Sequence, residues 1–481
     1  MTLKVRNSLT KKIEEFIPLN DKKVGMYTCG PTVYDTPHIG NYRTFFMADM
    51  IRRYLEFKGY EVKHIMNITD IDDKTIRDSA KTDKSLEEFT QSYTQIFFEG
   101  IDWLNIKRAH VYPRATEHVE EMIELVKTLE QKGYAYESED GVYFDIAKFD
   151  AYGTLANIDL SQQKIGDRAR ADEYDKEHVQ DFVLWKKSTP EEIERGIYYE
   201  SPWGKGRPGW HIECSVMSMK YLGETIDIHT GAVDLKFPHH ENEIAQSEAA
   251  TGKPFVRYWL HGEFLNLKGE KMSKSLGNIT TLHNLMDKVD PDTIRYLFLS
   301  TRYDAILHFN EDKLIGAKNS AERLRTTLQN VTARLRAKGI ASPMGEREKG
   351  LLKEAKKAKE EFTAVMDNNF DTPKGLNVLH ELSKAINKYL KGSINEGVLL
   401  DAFDVYKLLL STYGLFEHSL EMTSKEDTTV EELMRLIIDL REEARKKKDY
   451  ETSDKIRDKL AELGIVLEDT SKGTVWKLEH K

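Results

Sequence analysis

The stretch from Val24 to Ile68 constrains the fold more than any other part of this sequence. VGMYTC (24–29) is an apolar run with a glycine near each end, which fits a buried strand. The loop GPTVYDTPHIGN follows, and then YRTFFMADMIRRYLEFKGY, in which Met47, Met50, Ile51, Tyr54 and Leu55 recur at helical spacing until Gly59. EVKHIMNI is a second strand candidate. Strand, loop, helix and strand in this length make one βαβ unit, which belongs in a parallel sheet covered by helices. The pattern recurs downstream. TIDIH (225–229) is a strand candidate, Pro238 opens a helix through about Ala250, Thr251-Gly252 closes it, and VRYWLHGEFL is the next strand. The expectation is an α/β fold: one doubly wound parallel sheet in two halves, with the region between them inserted.

The insertion, 115–203, holds a helical pattern over Val119–Gln131, a hairpin signal around Ser138–Gly141, and a charge-rich stretch over 150–181. From about residue 310 the pattern is helical, studded by Arg323, Arg325, Arg334, Arg336 and Lys338. Thr423–Thr429 is a polar linker. The last 52 residues hold two short helices and the hairpin-like GIVLEDTSKGTVWKL. The expected organisation is 1–114 and 204–262 for the sheet halves, 115–203 for the insertion, 263–312 for a loop and contact region, 313–422 for a helical bundle, and 428–481 for a small α+β terminal domain. At 481 residues and 40% hydrophobic the chain is neither disordered nor fibrous, and two cysteines exclude a disulfide-built fold. The opening MTLKVRNSLTKKIEEF has no apolar core, and no run approaches the ~18 apolar residues of a spanning helix, so a cytoplasmic protein with no membrane partner is expected. The net charge of −10 argues against non-specific nucleic-acid binding and leaves room for local basic patches.

Three groups of residues can carry chemistry. In PHHENE, His239 and Glu243 stand at i and i+4, on one helical face; His240 shares that face less well. The bland alternative is an acidic cap beside a solvated histidine. Cys29 sits at the end of the first strand, where open α/β sheets bind ligands, and Cys214 lies in PGWHIECS; with His239 and Glu243 they form a candidate zinc set. His38-Ile39-Gly40-Asn41 lies where the first loop meets its helix. Gly40 lets the backbone approach an anion there and His38 can donate to phosphate, although a capping asparagine explains Asn41 equally well. Lys271 and Lys274, in GEKMSKS, can reach a polyphosphate; a solvated loop is the alternative.

HIGN and KMSKS in this order resemble the two signatures of class I aminoacyl-tRNA synthetases. CGPTVYD, HIGN, NITDIDDK, PGWHIECS, FPHHENE and GEKMSKS together resemble the cysteinyl-tRNA synthetase family, and the likeness runs from about Lys22 to the C-terminus. The resemblance implies a Rossmann-type catalytic domain with an inserted connective domain, then a helical tRNA-binding bundle and a small anticodon-binding domain. It implies one Zn²⁺ on Cys29, Cys214, His239 and Glu243 that takes the substrate thiolate, so that serine is rejected without editing. It implies substrates L-cysteine, Mg-ATP and tRNA-Cys, with an amino-acid pocket that includes Thr69, Trp210 and His229. His38, Gly40, Asn41, Lys271 and Lys274 match the ATP-binding motifs, and the resemblance implies that His38 and Lys274 contact the transition state, with Lys271 as a second candidate. Ligases joining cysteine to an amino sugar resemble the catalytic half but lack the C-terminal region this chain has. Where family members carry a glycine-rich run, this chain has His229-Thr230-Gly231-Ala232-Val233-Asp234, and Lys236 stands at a usually apolar position; fewer glycines change how closely a nucleotide approaches. Arg445-Lys446-Lys447-Lys448 are candidates for phosphate contact and Trp476 for base stacking. No extended heptad run or broad apolar stripe calls for a dimer, so a monomer is expected.

Overall fold

The computed structural model describes residues 2–158, 181–267, 270–271, 281–336, 343–421, 425–470 and 473–478. The chain divides into two units, 1–314 with 366–372, and 315–365 with 373–481.

The first unit begins with an antiparallel hairpin, β1 (Lys4–Asn7) and β2 (Lys12–Glu15). Next come β3 (Lys23–Thr28), α1 (Ile39–Phe57) and β4 (Glu61–Met66), with β3 and β4 parallel from Lys23↔Glu61 to Thr28↔Met66. All five periodic residues of α1 are buried, and Gly59 sits at φ +87°, a conformation that glycine enters without cost. Helices α2 (Asp73–Ser79) and α3 (Leu86–Trp103) follow, then α4 (Val119–Gln131) at the bounds its periodicity sets. The insertion folds as an antiparallel sheet of β5 (Ala135–Glu137), β6 (Gly141–Phe144), β7 (Phe182–Lys187) and, after the short α5 (Pro190–Glu194), β8 (Gly206–Pro208). The chain returns through α6 (Trp210–Leu222), β9 (Ile226–Ala232), α7 (His239–Thr251) and β10 (Val256–Gly262). β9 runs three residues past the TIDIH signal, because Leu260, His261 and Gly262 of β10 pair with Thr230, Gly231 and Ala232.

The strand order β10-β9-β3-β4, parallel throughout, fixes where a site can be. From β3 the chain winds to β4 on one side, and from β9 to β10 on the other. The order therefore reverses between β3 and β9, and the crevice at their carboxyl ends is the switch point where such sheets bind ligands. Three short strands, β11 (Leu265–Leu267), β12 (Glu270–Lys271) and β13 (Leu307–Phe309), form a side sheet, with α8 (His283–Met286) and α9 (Pro291–Leu299) between the last two.

A helix buried all round must carry its charges in pairs, and α1 does. The Asp49 carboxylate accepts from Arg53 Nε at 2.8 Å, from Arg295 of α9 at 2.8 Å and from the Lys107 backbone at 3.0 Å. Arg295 also donates to the carbonyls of Leu104 and Asn105, at 2.8 and 2.9 Å. One carboxylate thereby joins α1, α9 and the turn after α3.

The second unit contains most of α10 (Glu311–Arg336), α11 (Glu346–Met366) and α12 (Thr372–Leu390), and all of α13 (Glu396–Thr412), with Leu324, Leu328, Phe362, Leu379, Ile386 and Leu410 buried. After the short α14 (Glu417–Glu421), α15 (Lys425–Lys446) and α16 (Tyr450–Glu462) lead to the hairpin of β14 (Ile465–Thr470) and β15 (Gly473–Leu478).

Burial raises the Asp49 carboxyl, but the guanidinia of Arg53 and Arg295 outweigh it and hold the group below its usual range. Its contribution to stability is therefore complete above the unfolded value of about 4 and is lost as pH falls through the lower folded value. Asp49→Ala leaves two buried guanidinia short of a partner and is expected to cost about 3–5 kcal/mol. Urea unfolding of the first unit at pH 7 should show that loss, and the gap to the parent chain should narrow in acid.

Candidate functional site

Four side chains meet at the switch point. Cys29 leaves the end of β3, Cys214 projects from α6, and His239 and Glu243 come from the first turns of α7. Their ligand atoms all lie within 4.8 Å of one another, and all four residues are buried. Gly30 makes the exit from β3 possible, because a Cβ there would come within 1.7 Å of the Asn67 carbonyl oxygen. Cys29 Sγ is 3.6 Å from Glu243 Oε1, and His239 Nε2 is 3.1 Å from the same oxygen. The two sulfurs stand 3.7 Å apart, close to the edge of about 3.8 Å that two thiolates ~2.3 Å from one tetrahedral ion must span. Two sulfurs, an imidazole and a carboxylate in this geometry fit Zn²⁺.

Further imidazoles pack around them. His211 Nδ1 is 2.9 Å from His239 Nδ1, and Trp210 stacks on the His239 ring at 4.3 Å between centroids. His240, which helical spacing placed less favourably, sits three residues before Glu243 with its Nε2 3.8 Å from Oε1, and 3.3 Å from Cys29 Sγ. Its Nδ1 is 2.7 Å from His261 Nε2, and His261 Nδ1 is 2.8 Å from Ser8 Oγ. The ligand atoms of a second group, Cys29, His229, His240 and Glu243, likewise all lie within 4.8 Å of one another. Burial lowers His239 to about 3 despite the pull of Glu243, lowers His211 to about 3, and lowers His240 and His261 well below the usual range. These rings are therefore neutral, the form that ligates. Burial also pushes both thiols up, toward the protonated form, and a cation bound between them would have to displace those protons.

The rest of the PHHENE turn faces the insertion. Glu241 accepts from the backbone N–H groups of Gly153 and Ala156, both at 2.8 Å, with burial raising its carboxyl to about 7. Tyr152 donates to Asn242 Oδ1 at 2.5 Å. Sequence spacing pointed to His239 and Glu243 but gave no role to Glu241, Asn242, His211 or His261, whose partners come from distant parts of the chain.

The three expected pocket residues border this cluster. Thr69 Oγ1 donates to Glu213 Oε2 at 2.9 Å, beside Cys214. Trp210 covers His239, and His229 Nε2 is 2.8 Å from Glu243 Oε2. Glu213 is fully buried and was not singled out by the sequence. Within the divergent segment, Thr230 Oγ1 pairs with Thr28 Oγ1 at 2.7 Å, tying β9 to β3.

At the start of α1, His38 and Asn41 cap reciprocally: His38 Nδ1 accepts from the Asn41 N–H at 3.2 Å, and Asn41 Oδ1 accepts from the His38 N–H at 3.0 Å. With Nδ1 an acceptor, the neutral ring carries its proton on Nε2, a donor at a helix N-terminus. Gly40 lies in the same turn. The Lys271 backbone pairs with Asn266 in the side sheet, whereas the Lys271 side chain and all of Lys274 lie outside the described residues. In the terminal domain Arg445 is 2.8 Å from Asp469 and Lys447 is 3.7 Å from Glu443, so part of the basic run is already paired. Trp476 sits on β15 opposite Leu467, partly buried.

Residues 15–319 match the family described as tRNA synthetases class I (C) catalytic domain, 361–417 the DALR domain, and 436–476 the cysteinyl-tRNA ligase anticodon binding domain. The chain is 50% identical over 471 residues to the cysteine–tRNA ligase of Methanosarcina acetivorans, covering 98% of each. It is 46% identical over 479 residues to that of Thermococcus onnurineus, covering 99% of each. Its fold is similar to that of Mycobacterium tuberculosis methionyl-tRNA synthetase in complex with methionyl-adenylate, with a TM-score of 0.64 at 16% identity over 83% of this chain and 93% of that one. Among the described residues no helix is long and apolar enough to cross a membrane.

Glu243 belongs to both candidate ligand groups. Glu243→Ala is therefore expected to abolish tightly held metal, while His283→Ala, an exposed histidine 3.9 Å from Glu99, leaves it unchanged. Metal per chain, measured by atomic emission after gel filtration, checks this.

Proposed function

We infer the chemistry of this site from one premise: the chain belongs to the cysteine–tRNA ligase family of class I tRNA synthetases. Its reaction is then ATP-dependent activation of L-cysteine and transfer of the aminoacyl group to tRNA-Cys, with Mg-ATP as a substrate. The observation that carries the finer reading is the buried group of two thiols, an imidazole and a carboxylate at the sheet switch point. Cys29, Cys214, His239 and Glu243 would hold Zn²⁺. Such an ion supplies a soft centre that prefers the sulfur of cysteine to the hydroxyl of serine, where pocket shape alone discriminates such pairs only about 100-fold.

The remaining work falls to this chain's own residues. Thr69, Trp210 and His229 line the amino-acid pocket, and the Glu213 carboxylate fixes the Thr69 hydroxyl. A carboxylate oxygen of the amino acid attacks the α-phosphorus of ATP and pyrophosphate leaves. No side chain forms a covalent bond, so catalysis is positioning and charge stabilisation. His38 presents Nε2–H where the α1 N-terminus favours anionic oxygens, with Gly40 and Asn41 shaping that turn. Lys271 and Lys274 put positive charge on the departing pyrophosphate. The helical bundle and the terminal domain, with Lys446, Lys448 and Trp476 as candidate contacts, would hold the tRNA of a monomeric enzyme acting in the cytoplasm.

Amino-acid-dependent ATP–pyrophosphate exchange without tRNA tests this reading. Metal-loaded protein is expected to exchange with cysteine and not detectably with serine; no exchange with either overturns it. In the same assay His38→Ala should lower the rate about 100- to 1,000-fold, as removal of one transition-state donor does, while the KM for cysteine changes little.

A further inference from the structure

We propose that the centre has two overlapping metal seats, and that the second, formed by Cys29, His229, His240 and Glu243, binds a divalent ion in its own right. This rests on the metal reading above and goes beyond it, because that reading leaves His240 without a role.

The geometry of His240 is that of a ligand. Its Nε2 points inward, 3.3 Å from Cys29 Sγ and 3.8 Å from Glu243 Oε1. Its Nδ1 is held by His261, which is held in turn by Ser8. His239 is built the same way, with Nε2 inward and Nδ1 held by His211. Outer support of this kind sets the tautomer and orientation of metal-binding imidazoles. The sheet also makes room for the ring: a Cβ on Gly231 would come within 2.5 Å of His240 Cε1. His229 completes the seat. Its Nε2 lies 2.8 Å from Glu243 Oε2, and its buried Nδ1 has no hydrogen-bond partner among the described residues, so turning the ring toward an ion breaks no bond at that nitrogen.

Charge explains why a seat with one sulfur can compete. Two thiolates and a carboxylate around a dication leave one net negative charge in a site closed to water. One thiolate and one carboxylate leave none, so the second seat trades a soft ligand for a smaller desolvation cost. Since Cys29 and Glu243 are common to both, an ion can pass between seats without leaving the protein.

Cobalt uptake by the full-length chain tests this, with the sulfur-to-cobalt charge-transfer band counting thiolates and the visible bands reporting tetrahedral geometry. The parent chain is expected to bind one Co²⁺ with a two-sulfur band. Cys214→Ser, and Cys214→Ser with His239→Ala, should each still bind one Co²⁺ tetrahedrally with the band roughly halved. Adding His240→Ala to the double variant should weaken binding roughly 100-fold, as loss of a metal ligand does. The proposal is overturned if both Cys214 variants, folded by circular dichroism, take up no cobalt, or if His240→Ala changes nothing. Failure of the parent chain to bind cobalt would instead overturn the metal reading, and this inference with it.

Discussion

Burial of a polar cluster with no water to solvate it is the constraint on which the rest of this structure depends. At the carboxyl ends of β3 and β9, two thiols, five imidazoles and two carboxylates are each 6% exposed or less. Each such group costs free energy unless a partner is found within the protein. The partners come from every element in reach. The hairpin turn after β1 supplies Ser8, the loop after β4 supplies Thr69, α6 supplies His211 and Glu213, and β10 supplies His261. A cation held in the centre would be a further partner for what the protein alone leaves unresolved: two neighbouring thiols that burial pushes toward the protonated form.

The same constraint explains why the insertion packs against α7 rather than hanging from the sheet as a loose excursion. A helix whose first turn carries His-His-Glu-Asn-Glu and is fully buried cannot leave its middle residues unsatisfied. Glu241 and Asn242 find Gly153, Ala156 and Tyr152 on the insertion. The helix that carries His239 and Glu243 is thereby tied to the insertion. Asp49 plays the corresponding part on the other side of the sheet, where its carboxylate lets α1 lie buried against α9.

Where the determinants are local, they were legible in the sequence. The two βαβ units, α1 with its Gly59 stop, α4, the terminal hairpin and the His239–Glu243 spacing all follow from periodicity and punctuation. The relevant interactions lie within a turn or between neighbouring strands. What was not legible depends on contacts between distant segments. β7, which starts at Phe182, pairs antiparallel with β6, which ends at Phe144, and the three-residue β8 pairs with β7 across the intervening α5. His211 and His261 look like ordinary histidines until the fold sets them behind His239 and His240. Preferring i+4 to i+3 sets His239 above His240, although both spacings bring side chains together on a helix. Arg445 was a candidate for phosphate, but Asp469, 24 residues later, already pairs with it.

If the cluster at the switch point holds zinc and the ion takes the substrate's sulfur, X-ray absorption at the zinc edge, on the loaded full-length chain alone and with cysteine or serine, measures it directly. Two sulfur neighbours are expected for the protein alone, three with cysteine, and two with serine. An unchanged sulfur count with cysteine under saturating conditions would contradict the account and leave selectivity to the shape of the pocket.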